Sequence, residues 1–283
     1  MAGNKSHARS IIGNIISFSF LLLMSSVFAL PIVFMISRSF MPLDELFRIP
    51  PLVFSRNPTI QNYIDLVNIM NNSWVPFSRY IFNTVFVTAA GTFFHIIIAS
   101  LAAYVLAKHK FPGANLFFTI VILALMFAPQ VTMIPNYLIM AKLGFIDTHL
   151  SLIIPAIGLP LGLFLMKQFM EQIPVALLES ARIDGAGEIN IFFRIAMPMV
   201  KPAWLTLMII SVQQLWNLDG RNFIFSEQLK MLPIAFQQIA LGGVARAGVG
   251  AVTGIFMLAV PVTVFVLNQS KMIQTMATSG IKE

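Results

Sequence analysis

The chain has 283 residues, 58% of them hydrophobic and 10% charged, with a formal net charge of +7 and a mean hydropathy of +0.84. Soluble domains carry about 25% charged residues, so this composition excludes a water-soluble globule and describes an integral membrane protein. The absence of cysteine excludes disulfides and thiolate-bound metals, and the basic balance is that of Lys and Arg flanking membrane spans rather than of a nucleic-acid binder.

A spanning helix needs roughly 20 apolar residues. The first candidate covers residues 11–36, behind Lys5, His7 and Arg9, which place the N-terminus in the cytoplasm. A signal peptide cut after Val27-Phe28-Ala29 is the competing reading; the length of the run favours an uncleaved anchor. Residues 38–78 form a polar, proline-marked excursion with Pro42, Pro50, Pro51 and Pro58. The second span covers residues 80–107 and closes on Lys108-His109-Lys110, followed by a Phe111-Pro112-Gly113 turn, a short basic loop of the cytoplasmic kind. The third covers 115–133 and ends near Pro129 and Pro135; residues 136–149 then return outside. The fourth covers 150–169, and a charged segment, 171–202, follows on the cytoplasmic side. The fifth covers 203–216, an external loop carries Asp219, Arg221, Glu227 and Lys230, and the sixth lies within 247–267. The expectation is an all-α polytopic protein with about six transmembrane helices, one domain over residues 1–283, and both termini in the cytoplasm.

The segment 171–202 carries the most information. Pro174 suits the first turn of a helix, and residues 175–183 are good helix formers. Asp184-Gly185 and Gly187 interrupt that helix, since glycine accepts the left-handed backbone. Glu188 suits the N-terminus of a second short helix. Phe192 and Ile195, three apart, share a face, and Pro198 and Pro202 end the element. The expected object is a helix–turn–helix outside the membrane with an apolar ridge flanked by charge. The competing reading is an amphipathic loop lying on lipid headgroups.

The order Glu179-Ser180-Ala181, Asp184-Gly185-Ala186-Gly187, Phe192, Ile195, Pro198 resembles the cytoplasmic loop of binding-protein-dependent ABC importer permeases. Ser180 stands where that family usually has alanine. The resemblance runs along most of the chain. Asn83-Thr84, Ala102-Ala103-Tyr104 with Phe111-Pro112-Gly113, Pro129 with Met133-Ile134-Pro135, Leu143-Gly144, Asp147-Thr148, Trp216-Asn217, Leu232-Pro233 and the tail with Gly280-Ile281-Lys282 are similar to the carbohydrate-importer branch, in particular to the second maltose-importer permease. Pro42-Leu43-Asp44-Glu45-Leu46 and residues 278–283 resemble a subgroup that imports polysaccharide fragments, including acidic ones such as alginate. The resemblance implies a multi-pass inner-membrane permease in bacteria that moves a sugar or oligosaccharide by ATP-driven alternating access. It implies ATPase coupling through Glu179, Ala181, Asp184, Gly185, Ala186, Gly187, Phe192, Ile195 and Pro198. It implies as partners a second permease, two ATPase subunits and an extracytoplasmic solute-binding protein.

No Gly-x-x-x-x-Gly-Lys-Ser/Thr loop occurs, and no Gly-Lys pair at all, so this chain cannot cradle nucleotide phosphates by that device. ATP and magnesium are expected on the partner subunits, and no cofactor on this one. The alternative function is an ion-coupled secondary transporter, which places acidic residues within its spans; none falls within a span here, and His95 is the one histidine that does. A membrane-embedded enzyme would show His-Glu-x-x-His or Gly-x-Ser-x-Gly, and neither occurs. Substrate-path candidates, chosen by depth, are Asn83, Gln130, Asn136, Gln213, Gln214 and Asn217, each equally able to serve as an interhelical hydrogen bond. Trp74 and Trp216 are expected at the membrane interface, and Gly250-x-x-x-Gly254 permits close helix approach.

Overall fold

A computed structural model describes residues 11–72 and 74–279; Lys5, His7, Arg9 and Gly280-Ile281-Lys282 lie outside the described residues. Those described form helices and no strand, as lipid demands of a chain that must satisfy its backbone internally. Four helical segments are long and apolar enough to cross a membrane, Gly13–Ser39, Phe77–Lys108, Leu150–Glu171 and Ala247–Gln269, and two sharply bent pairs bring the number to as many as six. The chain divides into two compact units, Met1–Ile69 with Ile239–Ile255, and Met70–Gln238 with Phe256–Glu283.

In the first unit, α1 (Ile11–Ser39) buries almost nothing along its length, as a helix coated by lipid would. Its end is fixed by polar contacts. Asn62, on α3 (Gln61–Asn71), donates from Nδ2 to Ser39 O at 2.9 Å and to Met41 O at 2.8 Å, which closes carbonyls left open where the helix stops. The short α2 (Leu43–Leu46) carries Glu45, whose carboxylate accepts Ser55 Oγ at 2.8 Å and the Arg56 and Asn57 amides, each at 3.0 Å. Burial pushes that carboxyl up, and the three donors outweigh it, so Glu45 titrates below the usual range. A Cβ on Gly248 would overlap the Asn62 amide, and one on Gly254 would stand 2.7 Å from Met35 Sδ, whereas Gly250 faces open space. Close approach therefore falls at Gly248 and Gly254, not at the expected Gly250–Gly254 pair.

The second unit is organised around α4 (Phe77–Lys108). It is followed by α5 (Ala114–Leu125), α6 (Pro129–Lys142), α7 (Leu150–Ile157) and α8 (Pro160–Glu171). Next come α9 (Val175–Ile183), α10 (Glu188–Ile191), α11 (Met197–Met199), α12 (Lys201–Trp216) and α13 (Leu232–Ala240), while α14 (Ala247–Ser279) closes the chain. Helix α4 packs against α7, α8 and α12. Gly91 lets Leu215 of α12 approach, and Gly162 lets the His95 ring lie against α8. His95 is buried and its Nδ1 meets Ser211 Oγ at 3.0 Å, so it is a packed, hydrogen-bonded histidine that joins α4 to α12.

Four expectations need correction. The third span is not one straight helix: α5 and α6 meet at 114°, because Pro129 starts a new helix and drives the preceding residue out of helical backbone. The helix does not end near Pro135: α6 continues through residues 136–142. Pro198 does not end the second loop helix. A wide turn over Phe192–Ala196, in which the Met197 amide donates to Phe192 O, carries the helix through a proline that has no N–H to give. The chain instead bends by 80° at Val200 before α12. Trp216 is not an interfacial anchor; it is 5% exposed and donates from Nε1 to Met257 O at 3.1 Å.

Replacing Gly162 with alanine drives a methyl into the His95 ring. Overpacking of this kind costs about 1–3 kcal/mol, so G162A is expected to lower the melting temperature of the detergent-solubilised protein. An unchanged melting curve would show that the ring has somewhere else to go.

Candidate functional site

Helix α9 ends in a left-handed turn. Gly185 has φ +83°; its amide donates to Arg182 O at 3.0 Å, and the Ala186 amide reaches back to Ala181 O at 2.9 Å. This is a Schellman closure, which needs a residue free of Cβ strain at that one position. Gly187, by contrast, has φ −70° in extended backbone, and a Cβ there would meet nothing within 4 Å. The turn itself therefore requires Gly185 and places no demand on Gly187.

The loop is fixed from below by apolar side chains. Leu178, Ile191, Phe192, Ala196 and Val200 join Ala99, Ala103 and Tyr104 of α4 and Met166 and Met170 of α8 in one buried cluster. Phe192 is 2% exposed, with its ring edge-on to Tyr104 at 5.5 Å, and Ile195 packs beside the same cluster. The expected outward ridge of Phe192 and Ile195 thus faces inward; their shared face is the anchoring one, because the apolar floor lies on that side. What stands outward is Ile183, 86% exposed, and Ile189, 75% exposed. Glu179, Asp184, Gly187 and Pro198 are also exposed, and Ala181 and Ala186 are half-buried. Among the described residues, the side chains of Glu179 and Asp184 make no hydrogen bond or ion pair.

Polar contacts fix the loop from the side. Glu188 accepts Arg182 Nε at 2.7 Å and Tyr104 Oη at 3.1 Å, and His109 Nε2 stands 3.8 Å away. The hydrogen bond it donates to Glu188 holds the Arg182 guanidinium above its ordinary pKa. Lys108 donates to Ile173 O at 2.6 Å and to Glu171 O at 3.2 Å, closing carbonyls at the end of α8. Sequence reasoning gave Glu188 only a place at a helix N-terminus; its contact with Tyr104, 84 residues away, leaves no mark in local spacing.

At the other end of α4 the structure divides the substrate-path candidates. Gln130, Asn136 and Gln214 converge, with Thr132, Ser151 and Phe223, on a cavity of about 460 Å³ that no charged side chain lines. That size suits a small-molecule site. Asn83 is not in it. The residue is fully buried, and its Nδ2 donates to Gln228 O and Lys230 O, both at 2.9 Å. Asn217 donates to Gln213 O at 2.8 Å on its own helix, and neither residue lines the cavity.

A carboxylate that sequence reading passed over holds the cavity wall. Asp147 has φ +59°. Its amide donates to Phe223 O at 2.8 Å, and its carboxylate accepts the Phe225 amide at 2.9 Å, the Ser226 amide at 2.8 Å and Ser226 Oγ. The Ser226 hydroxyl bond, above all, holds this carboxyl below the ordinary aspartate range. Nearby, burial raises the Glu227 carboxyl, and bonds from Lys230 and Tyr80 outweigh it and leave it lowered.

Comparison with known proteins puts both sites in context. Residues 95–274 match the model of the family described as binding-protein-dependent transport system inner membrane component. Protein LplC of Bacillus subtilis is 35% identical over 66% of this chain, and the match spans 61% of LplC's own length. The arabinooligosaccharides transport system permease protein AraQ of Halalkalibacterium halodurans is 28% identical over 89% of this chain and 90% of that protein. Among solved structures, a chain of a bacterial ABC transporter involved in the import of the acidic polysaccharide alginate superposes with a TM-score of 0.76 at 20% identity, covering 95% of this chain and 99% of that one. At that identity the likeness is one of fold.

Because the Asp147 carboxyl is lowered on folding, its contribution is fully present above the unfolded value of about 4 and is lost as pH falls through the folded one. D147A is expected to destabilise the protein by about 1–2 kcal/mol at pH 7. The difference should shrink as thermal melts are repeated below about pH 4; a deficit independent of pH would show that the charge plays no part.

Proposed function

Because the chain belongs to the family of binding-protein-dependent transport system inner membrane components, we propose that it is the permease subunit through which an oligosaccharide crosses the membrane while ATP is hydrolysed elsewhere. The observation that carries this reading is the exposed tip of the 171–202 loop. Ile183 and Ile189 stand in the open beside Glu179 and Asp184, on a base rigidly seated in the core. A patch that combines apolar and charged groups on a fixed base suits a soluble partner. The proposed partner is an ATPase subunit, one of two, which bind ATP and magnesium. A second permease completes the pore, and an extracytoplasmic solute-binding protein delivers the cargo. The loop then faces the cytoplasm, with both termini on the same side.

The name of AraQ supports a saccharide cargo. So does the cavity, whose amide and hydroxyl groups from Gln130, Asn136, Gln214, Thr132 and Ser151 can donate to and accept from sugar hydroxyls. Phe223 supplies an apolar face. Gln130, Asn136 and Gln214 are the substrate-path residues of this reading; Asn83 is assigned instead to holding the external loop.

Gly187 allows a clean test, since a Cβ there meets nothing within 4 Å and its backbone is one that any residue adopts. In proteoliposomes holding the complete transporter, G187L is expected to cut ATP-driven uptake of an arabinooligosaccharide or oligoalginate probe at least ten-fold, with an unchanged melting temperature. Uptake that follows an ion gradient without ATP would overturn the reading in favour of a secondary transporter. For the cavity, Q214L or N136L is expected to raise KM for the transported probe about ten-fold, as the loss of a hydrogen bond worth about 1.4 kcal/mol implies, while G187L leaves KM largely unchanged and lowers the rate.

A further inference from the structure

Glu188 bridges three parts of the cytoplasmic end. It sits at the start of α10 and takes a hydrogen bond from Arg182 of α9 at 2.7 Å and one from Tyr104 of α4 at 3.1 Å. His109, one residue past the end of α4, is 3.8 Å away and lies edge-on to the Tyr104 ring at 5.7 Å. The apolar floor under Phe192 fixes where the loop sits. It does not fix the angle at which the α9–α10 turn leans on α4, because an open apolar groove of about 670 Å³ runs along that side, lined by Leu101, Val105, Phe117 and Ile189. Glu188, Tyr104 and His109 form its polar end; Lys108 ties α4 to the start of the loop at Ile173 O, whereas the Tyr104–Glu188 bond reaches the α9–α10 turn itself. Arg182 and Glu188 are each more than a third exposed, so their ion pair is weak by itself, whereas one acceptor shared by two donors fixes an orientation through geometry.

We propose that Glu188, with Arg182 and Tyr104, is a latch that makes the cytoplasmic loop and the end of α4 move as one body. Glu188 is a positioning residue here, and it lies outside the loop positions assigned to ATPase coupling. The latch deepens the docking reading given above and rests on it for its role in transport, although the mechanical claim can be tested separately.

The chain contains no cysteine, so with cysteine-free partner subunits paired spin labels can be placed without background at Ile183→Cys and Val105→Cys, both exposed positions. Distances are read in the assembled transporter, nucleotide-free and trapped with ATP and vanadate. The wild-type background is expected to give one narrow distribution in each state. E188A should at least double its width, and E188Q, which keeps an acceptor for Tyr104 but loses the charge facing Arg182, should fall between. Y104F/E188A should be no broader than E188A, since both changes act on one network. An E188A width equal to wild type overturns the latch, and so does a double variant that broadens by the sum of its parts. Should E188A fail to assemble, E188Q and Y104F carry the same test, and wild-type widths in both overturn the proposal. Docking is judged apart from this by crosslinking Ile189→Cys to a cysteine on the ATPase subunit. A missing crosslink beside a latch-dependent width would sink the docking reading alone, and a formed crosslink beside an unchanged width would sink the latch alone.

Discussion

Helix α4 has to be approached closely by three helices at once, and the second unit depends on that approach. In lipid there is no hydrophobic force between helices, since the tails are as apolar as leucine. Association rests on close packing and on polar contacts. Helix α4 supplies both. Gly91, Ala99 and Ala103 remove bulk where α12 and α8 come in, and Gly162 removes it on the facing side so that His95 can reach Ser211. The histidine that an ion-coupled transporter would use as a proton carrier is thereby held between two helices.

The two ends of α4 are tied to the rest of the unit by different chemistry from its middle. At its N-terminal end Arg79 Nε donates to Gln228 O at 3.2 Å, Asn83 holds Gln228 O and Lys230 O, and Thr84 Oγ1 accepts the Leu232 amide at 2.8 Å. At the other end Tyr104 and Lys108 reach the loop and the end of α8. Side-chain bonds to loop carbonyls satisfy backbone groups that no helix satisfies. They also make the two loops, which carry the proposed docking tip and the wall of the cavity, attachments of one helix.

How much of this the sequence discloses depends on whether the signal is local. The apolar runs of α1, α4 and α14 reach the length a bilayer requires; α1 and α4 follow them closely, and α14 runs on past its apolar stretch to Ser279. The turn at Asp184-Gly185 is legible for the same reason: a left-handed closure needs glycine within a few residues of a helix end. The faces are not legible. A spacing of three puts Phe192 and Ile195 on one side of a helix, and only the apolar floor beneath them decides that this side points in. Pro129 marks a break, and nothing near it records the 114° between the two pieces. Of six polar residues chosen by depth, the cavity gathers Gln130, Asn136 and Gln214, because depth along a span does not report azimuth. Glu188 and Asp147 were missed as organising groups because their partners are 84 and 79 residues away.

The distance along α4 gives these attachments their meaning. Asn83 and Tyr104 are separated by 21 residues of continuous helix, about 30 Å at 1.5 Å per residue, which is the thickness of the hydrocarbon core. No proline interrupts that stretch, and a kink there would need one or an equivalent defect in the hydrogen-bond ladder. A displacement imposed on the 171–202 loop is therefore carried along α4 to the loop that holds Gln228 and Lys230, or is lost at the contact where the 171–202 loop meets the helix. Apolar packing fixes where that contact sits but does not set its angle, since it is non-directional. A directional hydrogen-bonded contact at Tyr104 converts movement of the loop into movement of the rod. On the proposed reading, this is how a nucleotide bound to a separate subunit alters a cavity on the far side of the membrane without any atom of this chain touching it.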